Sequence, residues 1–466
     1  MKNNPYAPFV EVFWEHQILP TFHDFLRIPN VSPAFDPNWI KNGHMEKAIQ
    51  LISKWIQAQD LPGATLHIER LPQRTPLLIV DIPGTIKKNV LIYGHLDKQP
   101  EASGWLPGLG PWAPVVKDNK LYARGTVDDG YAVFAAVGAI KAALEQKLPL
   151  PHIVLLIECA EETGSEDLEA YCDHCSALIG SPDLIVCLDA GGANYDQLWI
   201  STSQRGVVTG TLKVQVLETG AHSGGASGVV PSSFRILRQL LDRIEDANTG
   251  NISIEALHAP IPPQRLAEAK DLATFLGNTV HRAYTFPQGT LPMSNDPLEL
   301  ILNRSWRPTL SYIGQDGMPP SQTGGNMLRP FTQLKLSFRL PPTVSATHAA
   351  KAIQTTLTQD PPYGAKVSFD IDGADNGWVV PESGPKLTQL VTEACQMSYG
   401  KPPMFMGLGG SIPFLASFGQ KFPNAEFIVT GALGPGSNAH GPNEFLDIPF
   451  TKRLIASLAY ILGRCG

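Results

Sequence analysis

The sequence predicts an α/β protein with a second, α+β domain inserted into its chain. Three observations carry that prediction. Three short apolar runs, NVLIYGHLD, HIVLLIECAEE and DLIVCLDAGG, alternate with helical patterns in the N-terminal half. From about Val207 the texture changes to alternating strands and amphipathic helices, and after about Gly373 the α/β texture returns. The expected boundaries are therefore 1–206 and 373–466 for the two parts of the first domain, with 207–372 as the insert.

The elements follow in chain order. HMEKAIQLISKWIQAQ repeats its apolar positions with the period of a helix. The three apolar runs are continuous and rich in β-branched residues, as expected of parallel strands covered on both faces. GYAVFAAVGAIKAAL is a buried helix, too short to span a bilayer and carrying Lys141. In the insert, VTGTLKVQVLE alternates like a half-exposed strand and PSSFRILRQLLDRIE reads as a helix. FTQLKLSFRLP, SATHAAKAIQTTLTQ and AKVSFDID then repeat a strand–helix–strand order, which suits a ferredoxin-like domain. Between the two halves, about 248–330 reads as Pro-rich loops and short helices. PKLTQLVTEACQMSYG, the GLGGSIP turn, EFIVTGAL and a terminal helix complete the chain.

Composition narrows the class. The 466 residues carry a net charge of -7, with 43% hydrophobic and 17% charged residues, as in an ordinary globular protein. The acidic balance and the lack of a Lys/Arg run argue against a nucleic-acid partner. Glu11 and Glu15 interrupt any N-terminal apolar segment, so neither a secretory signal nor a membrane partner is expected, and the reading is cytoplasmic. Six cysteines do not make a disulfide scaffold. Cys172 and Cys175 form a C-x-x-C around His174, but they sit in a helical pattern with no second such pair, so they read as structural.

The apolar runs end in polar residues: His95 and Asp97, Glu161 and Glu162, and Asp189. Ligands of open α/β sheets bind beyond the carboxyl ends of strands, so these side chains should converge. Amide hydrolysis at neutral pH needs an activated water, stabilisation of a developing oxyanion, and a proton donor for the leaving amine. A pair of metal ions held by imidazoles and carboxylates supplies the first two, and a free carboxylate moves the proton. His95 and Asp97 share one face of an extended strand, so Asp97 can orient the imidazole. Adjacent Glu161 and Glu162 point opposite ways if extended, leaving one to bind metal and one free. Taken singly, Asp128 would pass for a helix N-cap, Asp189 for a turn residue and His440 for an exposed loop histidine.

GHLDKQPE, GLGPWAPV, LYARGTVDDG, ECAEETGS, LDAGG, HSGG, SFRLPP, GGSIP and NAHGPNE occur in that order between about Val90 and Glu444. In this ordered set the chain resembles the M20 metallopeptidases, on their dipeptidase or carnosinase-like branch. The resemblance implies a zinc-peptidase-like catalytic domain with a mixed central sheet and an inserted lid and dimerisation domain. It implies two divalent ions, zinc or in some members manganese. His95 and Asp189 would hold one, Glu162 and His440 the other, and Asp128 would bridge them. Glu161 would be general base and acid, Asp97 the support of His95, and the Asp128–Asp129 peptide cis. His222 would polarise the scissile carbonyl in the active site of the partner subunit of a homodimer.

Arg339 would grip the terminal carboxylate of a short peptide, with Asn326 near the oxyanion. Gly410 and Ser411 would open a helix whose N–H groups receive a carboxylate, or simply cap it. Three departures leave the substrate open. Gly130-Tyr131 follows Asp129 where the family carries lysine, Leu408 replaces a glutamate found in carnosinase-like members, and DGADNGW lacks a histidine that some dipeptidases carry. N-acyl amino acid deacylation with the same metals therefore stands beside dipeptide hydrolysis, and a non-catalytic binding protein on the same fold is a third reading.

Overall fold

The computed structural model describes residues 4–282 and 284–466. The chain forms two compact units. The first runs to Ser201 and takes in Val380–Met406 and Ile412–Gly466; the second is Thr202–Val379 with Gly407–Ser411.

The first unit is built on a six-stranded mixed sheet. Its strands lie in the order Thr65–Glu69, Leu77–Ile82, Pro151–Glu158, Ile86–His95, Leu184–Cys187 and Glu426–Val429. Ile86–His95 runs parallel to both neighbours, and Glu426–Val429 runs parallel to Leu184–Cys187. Leu77–Ile82 is antiparallel to the strands on either side. The continuous apolar runs explain the burial, since Leu184–Cys187 and most of Pro151–Glu158 have no solvent-facing side. Helix Tyr131–Glu145 is apolar nearly all round and correspondingly buried, packing against the terminal helix Ile448–Leu462. Among the described residues no helix is long and apolar enough to cross a membrane.

The second unit is a four-stranded antiparallel sheet in the order Thr309–Asp316, Phe331–Leu340, Gly206–Gln215 and Lys366–Asp375. Helices Ser233–Leu241 and Ala346–Thr358 join its apolar face, where Val208, Leu212, Phe338 and Phe369 meet Ile236, Leu240 and Ile353. The chain order is strand, helix, strand, strand, helix, strand, the ferredoxin-like arrangement. Gly206–Gln215 alternates buried and half-buried residues throughout, matching its alternating sequence.

Two expectations need correcting. The stretch about 248–330 holds helices Pro263–Leu276 and Pro297–Ser305 and the sheet-edge strand Thr309–Asp316. That strand has no buried residue, so it lacks the apolar alternation that would announce it. The units also divide near 201/202 and 379/380, displaced from the expected 206/207 and 372/373. On the C-terminal side, Lys366–Asp375 continues past residue 372 and Trp378–Val379 pairs back onto Ser203–Gln204.

Candidate metal centre

Ile86–His95, Pro151–Glu158 and Leu184–Cys187 run side by side, so their carboxyl ends deliver His95, the Glu161–Glu162 turn and Asp189 to one place. The Asp97 side chain is fully buried and organises this end. Its carboxylate accepts the backbone N–H groups of Glu161 at 3.1 Å and Glu162 at 3.0 Å, fixing the short 3-10 turn that presents both glutamates. Its Oδ1 lies 3.4 Å from His95 Nδ1, which is also 3.1 Å from the Asp97 carbonyl. A carbonyl only accepts, so Nδ1 carries a proton and Nε2 is the nitrogen left to bind a cation.

His95 Nε2 is buried without a hydrogen-bond partner. It faces Asp128 Oδ1 at 3.4 Å and Glu161 Oε2 and Asp189 Oδ2 at 3.9 Å each. Asp128 lies in the turn before helix Tyr131–Glu145, and the Asp128–Asp129 peptide is cis. Its second oxygen lies 2.9 Å from His440 Nε2, which is 3.2 Å from Glu162 Oε2. Each oxygen of Asp128 thus addresses a different imidazole. Two sets of donor atoms result, His95 with Glu161 and Asp189, and Asp128 with Glu162 and His440, each mutually within 4.8 Å.

The electrostatics favour cations. Burial, reinforced by the Asp189 charge, raises the Glu161 carboxyl well above its ordinary range, and burial likewise raises Asp189. Burial and the neighbouring Asp128 raise Glu162. Burial would raise Asp128 too, but the hydrogen bond from His440 and the neighbouring His95 imidazole outweigh it and hold Asp128 low. His440 is pushed up to about 10, first by Asp128 and then by Glu162. Burial works against a charged His95, yet Asp128 and Asp97 carry its pKa well above the ordinary value. Four carboxylates crowded against two imidazoles, with one buried nitrogen unpartnered, make a donor set of oxygen and nitrogen that fits two divalent ions.

Three residues not singled out from the sequence support this arrangement. Arg124 donates to Glu444 Oε2 at 2.6 Å, to the Gly441 carbonyl at 2.9 Å and to the Pro100 carbonyl at 3.0 Å. Glu444 also accepts the N–H groups of Gly125 and Val127 at 3.1 Å each. The buried pair therefore ties the turn carrying Asp128 to the loop carrying His440. Glu158, opposite His95 in the sheet register, accepts from Tyr93 at 2.6 Å and Ser165 at 2.9 Å. Arg124 and Glu444 stood inside the LYARG and GPNE segments, but only their buried partners reveal their work.

The other expected site residues lie in the second unit. His222 and Asn326 are brought together there: Ala221–His222 pairs with Met327–Leu328, and Ser223 N donates to the Asn326 carbonyl at 3.0 Å. The His222 ring is exposed and accepts from Gly224 N at 3.1 Å. Arg339 sits on Phe331–Leu340 opposite Val207 and Thr309, with its pKa lowered by burial. Gly410 and Ser411 precede helix Pro413–Lys421, whose N-cap is Ile412 with no side-chain bond, so Ser411 does not cap it. Pro413 fixes the helix start one residue later than expected.

Residues 91–464 match the family described as Peptidase family M20/M25/M40. The chain belongs to that family. This peptidase is 26% identical over 400 residues to the cysteinylglycine-S-conjugate dipeptidase of Corynebacterium striatum, covering 85% of each chain. It is 27% identical to a Cys-Gly metallodipeptidase of Saccharomyces cerevisiae, covering 84% of this chain and 83% of that one. The crystal structure of human carnosine dipeptidase 1 superposes with a TM-score of 0.73 at 20% identity over 98% of both chains, which shows a shared fold. The peptidase's two donor groups provide for two metal ions.

Proposed function

We propose that this peptidase hydrolyses dipeptides on a two-metal centre, and the observation that carries the reading is Asp128, whose two oxygens address two imidazoles from two donor groups. His95 and Asp189 would hold one ion and Glu162 and His440 the other, with Asp128 as a ligand to both. Zinc is the preferred ion, with manganese as the alternative, since the donors are imidazole nitrogen and carboxylate oxygen. When bound, the ions polarise the scissile carbonyl and acidify the attacking water.

The chain's own groups do the rest. Asp97 holds His95 in the tautomer that leaves Nε2 free and sets the Glu161–Glu162 turn. Glu161 takes the proton of the attacking water and delivers it to the leaving amine. Its raised pKa, caused first by burial and then by Asp189, brings it towards the range where one carboxylate can do both. Arg339 takes the substrate's terminal carboxylate, a task suited to a planar guanidinium. Asn326, Gly410 and Ser411 add polar contacts, and the partner subunit's His222 polarises the carbonyl. The exposed edge strand Thr309–Asp316, with Tyr312 47% and Ile313 56% exposed, supports a homodimer formed through the second unit.

The relatives named for Cys-Gly and cysteinylglycine-conjugate substrates support the dipeptide class. Glu161→Gln should abolish turnover while leaving metal content intact, and undiminished hydrolysis would remove Glu161 from the proton-transfer role. A panel of dipeptides against N-acetyl and N-succinyl amino acids tests the substrate class. Deacylation without dipeptide cleavage would overturn it.

A further inference from the structure

The C-x-x-C segment finds an unexpected partner. Cys175 does not combine with Cys172; its thiol lies with the His174 imidazole and the Glu69 carboxylate, and the three donor atoms are mutually within 4.8 Å. Glu69 ends Thr65–Glu69, the outermost strand of the six-stranded sheet, whereas His174 ends helix Leu168–His174 and Cys175 follows as its C-cap. Residues more than a hundred positions apart are thus brought to one point.

The junction is held in place independently of those side chains. The Tyr171 hydroxyl, one turn before Cys175, donates to the Thr75 carbonyl at 2.6 Å and accepts the Leu71 N–H at 2.8 Å. These bonds fasten the turn after Glu69 to the helix that carries His174. Cys175 N–H donates to the Tyr171 carbonyl at 2.8 Å, which sets the cysteine at the helix end. Cys175 is 3% exposed, and its thiol makes no side-chain hydrogen bond among the described residues. Glu69 has no lysine or arginine partner among them; its ion pair is with His174 at 3.7 Å. The thiol forms a floor, and the half-exposed imidazole and carboxylate form the rim.

We propose that Glu69, His174 and Cys175 form a further divalent-cation site, separate from the catalytic centre, that takes zinc or a similar borderline ion. Thiolate, imidazole and carboxylate are the three protein ligands of such an ion, and the open side of the rim leaves a fourth position to water. Binding breaks the Cys175 S–H bond, forms a sulfur–metal bond and releases one proton to solvent. The site shares no residue with either donor group of the catalytic centre. Its occupation joins the sheet edge to the helix end, and the open fourth position lets a thiol or imidazole of a solute bind there.

Cobalt separates this site from the catalytic one, because only a thiolate ligand gives a sulfur-to-cobalt charge-transfer band. The catalytic donors are all nitrogen and oxygen. The full-length protein, stripped of metal, is titrated with Co2+ while absorbance and bound metal are followed. We expect uptake of three ions per chain, with the band growing in for one of them. Cys175→Ser should lose the band and one ion while keeping peptidase activity, and Cys172→Ser should keep both. His174→Ala should weaken that uptake roughly tenfold or more, the scale of effect seen when a metal site loses part of its support. A wild-type protein that saturates with no thiolate band, or a band that survives Cys175→Ser, would overturn the proposal. Neither result would bear on dipeptide hydrolysis, which the activity of Cys175→Ser reports separately.

Discussion

The two donor groups of the catalytic centre are built in contrasting ways. His95, Glu161 and Asp189 follow the ends of adjacent parallel strands, and the side chains of His95 and Asp189 are nearly or fully buried. In the second group Glu162 shares the turn of Glu161, but Asp128 and His440 come from a turn and a loop away from the strand ends, and the His440 side chain is 56% exposed on backbone with φ of 64°. The first group inherits its geometry from the hydrogen-bond ladder of the sheet. The second depends on added connections, chiefly Arg124 and Glu444. A centre made this way has one preorganised half and one whose affinity is set by side-chain bracing.

The comparison can be broken most completely at Asp128, the residue proposed to serve both halves. Asp128→Ala should leave neither group able to retain its ion, with hydrolysis falling to background; metal analysis after gel filtration checks this. Retention of one tightly held ion would mean that Asp128 serves a single group.

A smaller effect should expose the buried half. Burial raises the Glu158 carboxyl to about 7, so the folded protein holds a proton there that the unfolded chain releases nearer its ordinary value. The stability it contributes is full below the unfolded pKa and is lost as pH rises through about 7. Glu158→Gln keeps the group neutral. Its stability relative to wild type should therefore climb between about pH 4.5 and 7 and then level off, by at most about 3.5 kcal/mol. Urea unfolding of the metal-free proteins at several pH values measures it, and parallel pH profiles would contradict the assignment.

The smallest change should fall on the braced half alone. Glu444→Gln keeps the shape but points an amide at Arg124, loosening the tie between the Asp128 turn and the His440 loop. We expect one of two ions to bind about 10–100-fold more weakly, with the other unchanged, as for loss of an outer support of a metal ligand. Calorimetric titration resolves the two steps. Leu446→Ala, a buried cavity mutant on the neighbouring strand, should cost stability without splitting the two affinities.

The same contrast explains what could be read from sequence. The strand-end residues were legible because apolar runs announce strands and the polar residues that stop them mark the ligand end. Asp128 and His440 carried no such signal and were named through motif order. The double duty of Asp97, holding both His95 and the glutamate turn, was half visible, since i and i+2 spacing predicts a shared face but not the N–H groups it collects. Arg124, Glu158 and Glu444 are hidden in the sequence because a charged residue there reads as solvated, and only burial shows it otherwise. The edge strand Thr309–Asp316 is hidden for the opposite reason: a strand with no buried residue has no apolar rhythm. Ser411 looked like a cap, yet the helix starts after Ile412 because Pro413 occupies its first turn.

The Arg124–Glu444 pair joins positions 320 residues apart. During synthesis the sheet that carries His95, Glu161 and Asp189 can begin to assemble long before His440 and Glu444 leave the ribosome. Loop closure over such a separation comes late, since its entropy must be met before the contact is gained. The nascent chain therefore holds only the strand-end donors until the segment with His440 and Glu444 has been made. Donor atoms that must meet across so long a separation come together only after the sheet beneath them has formed.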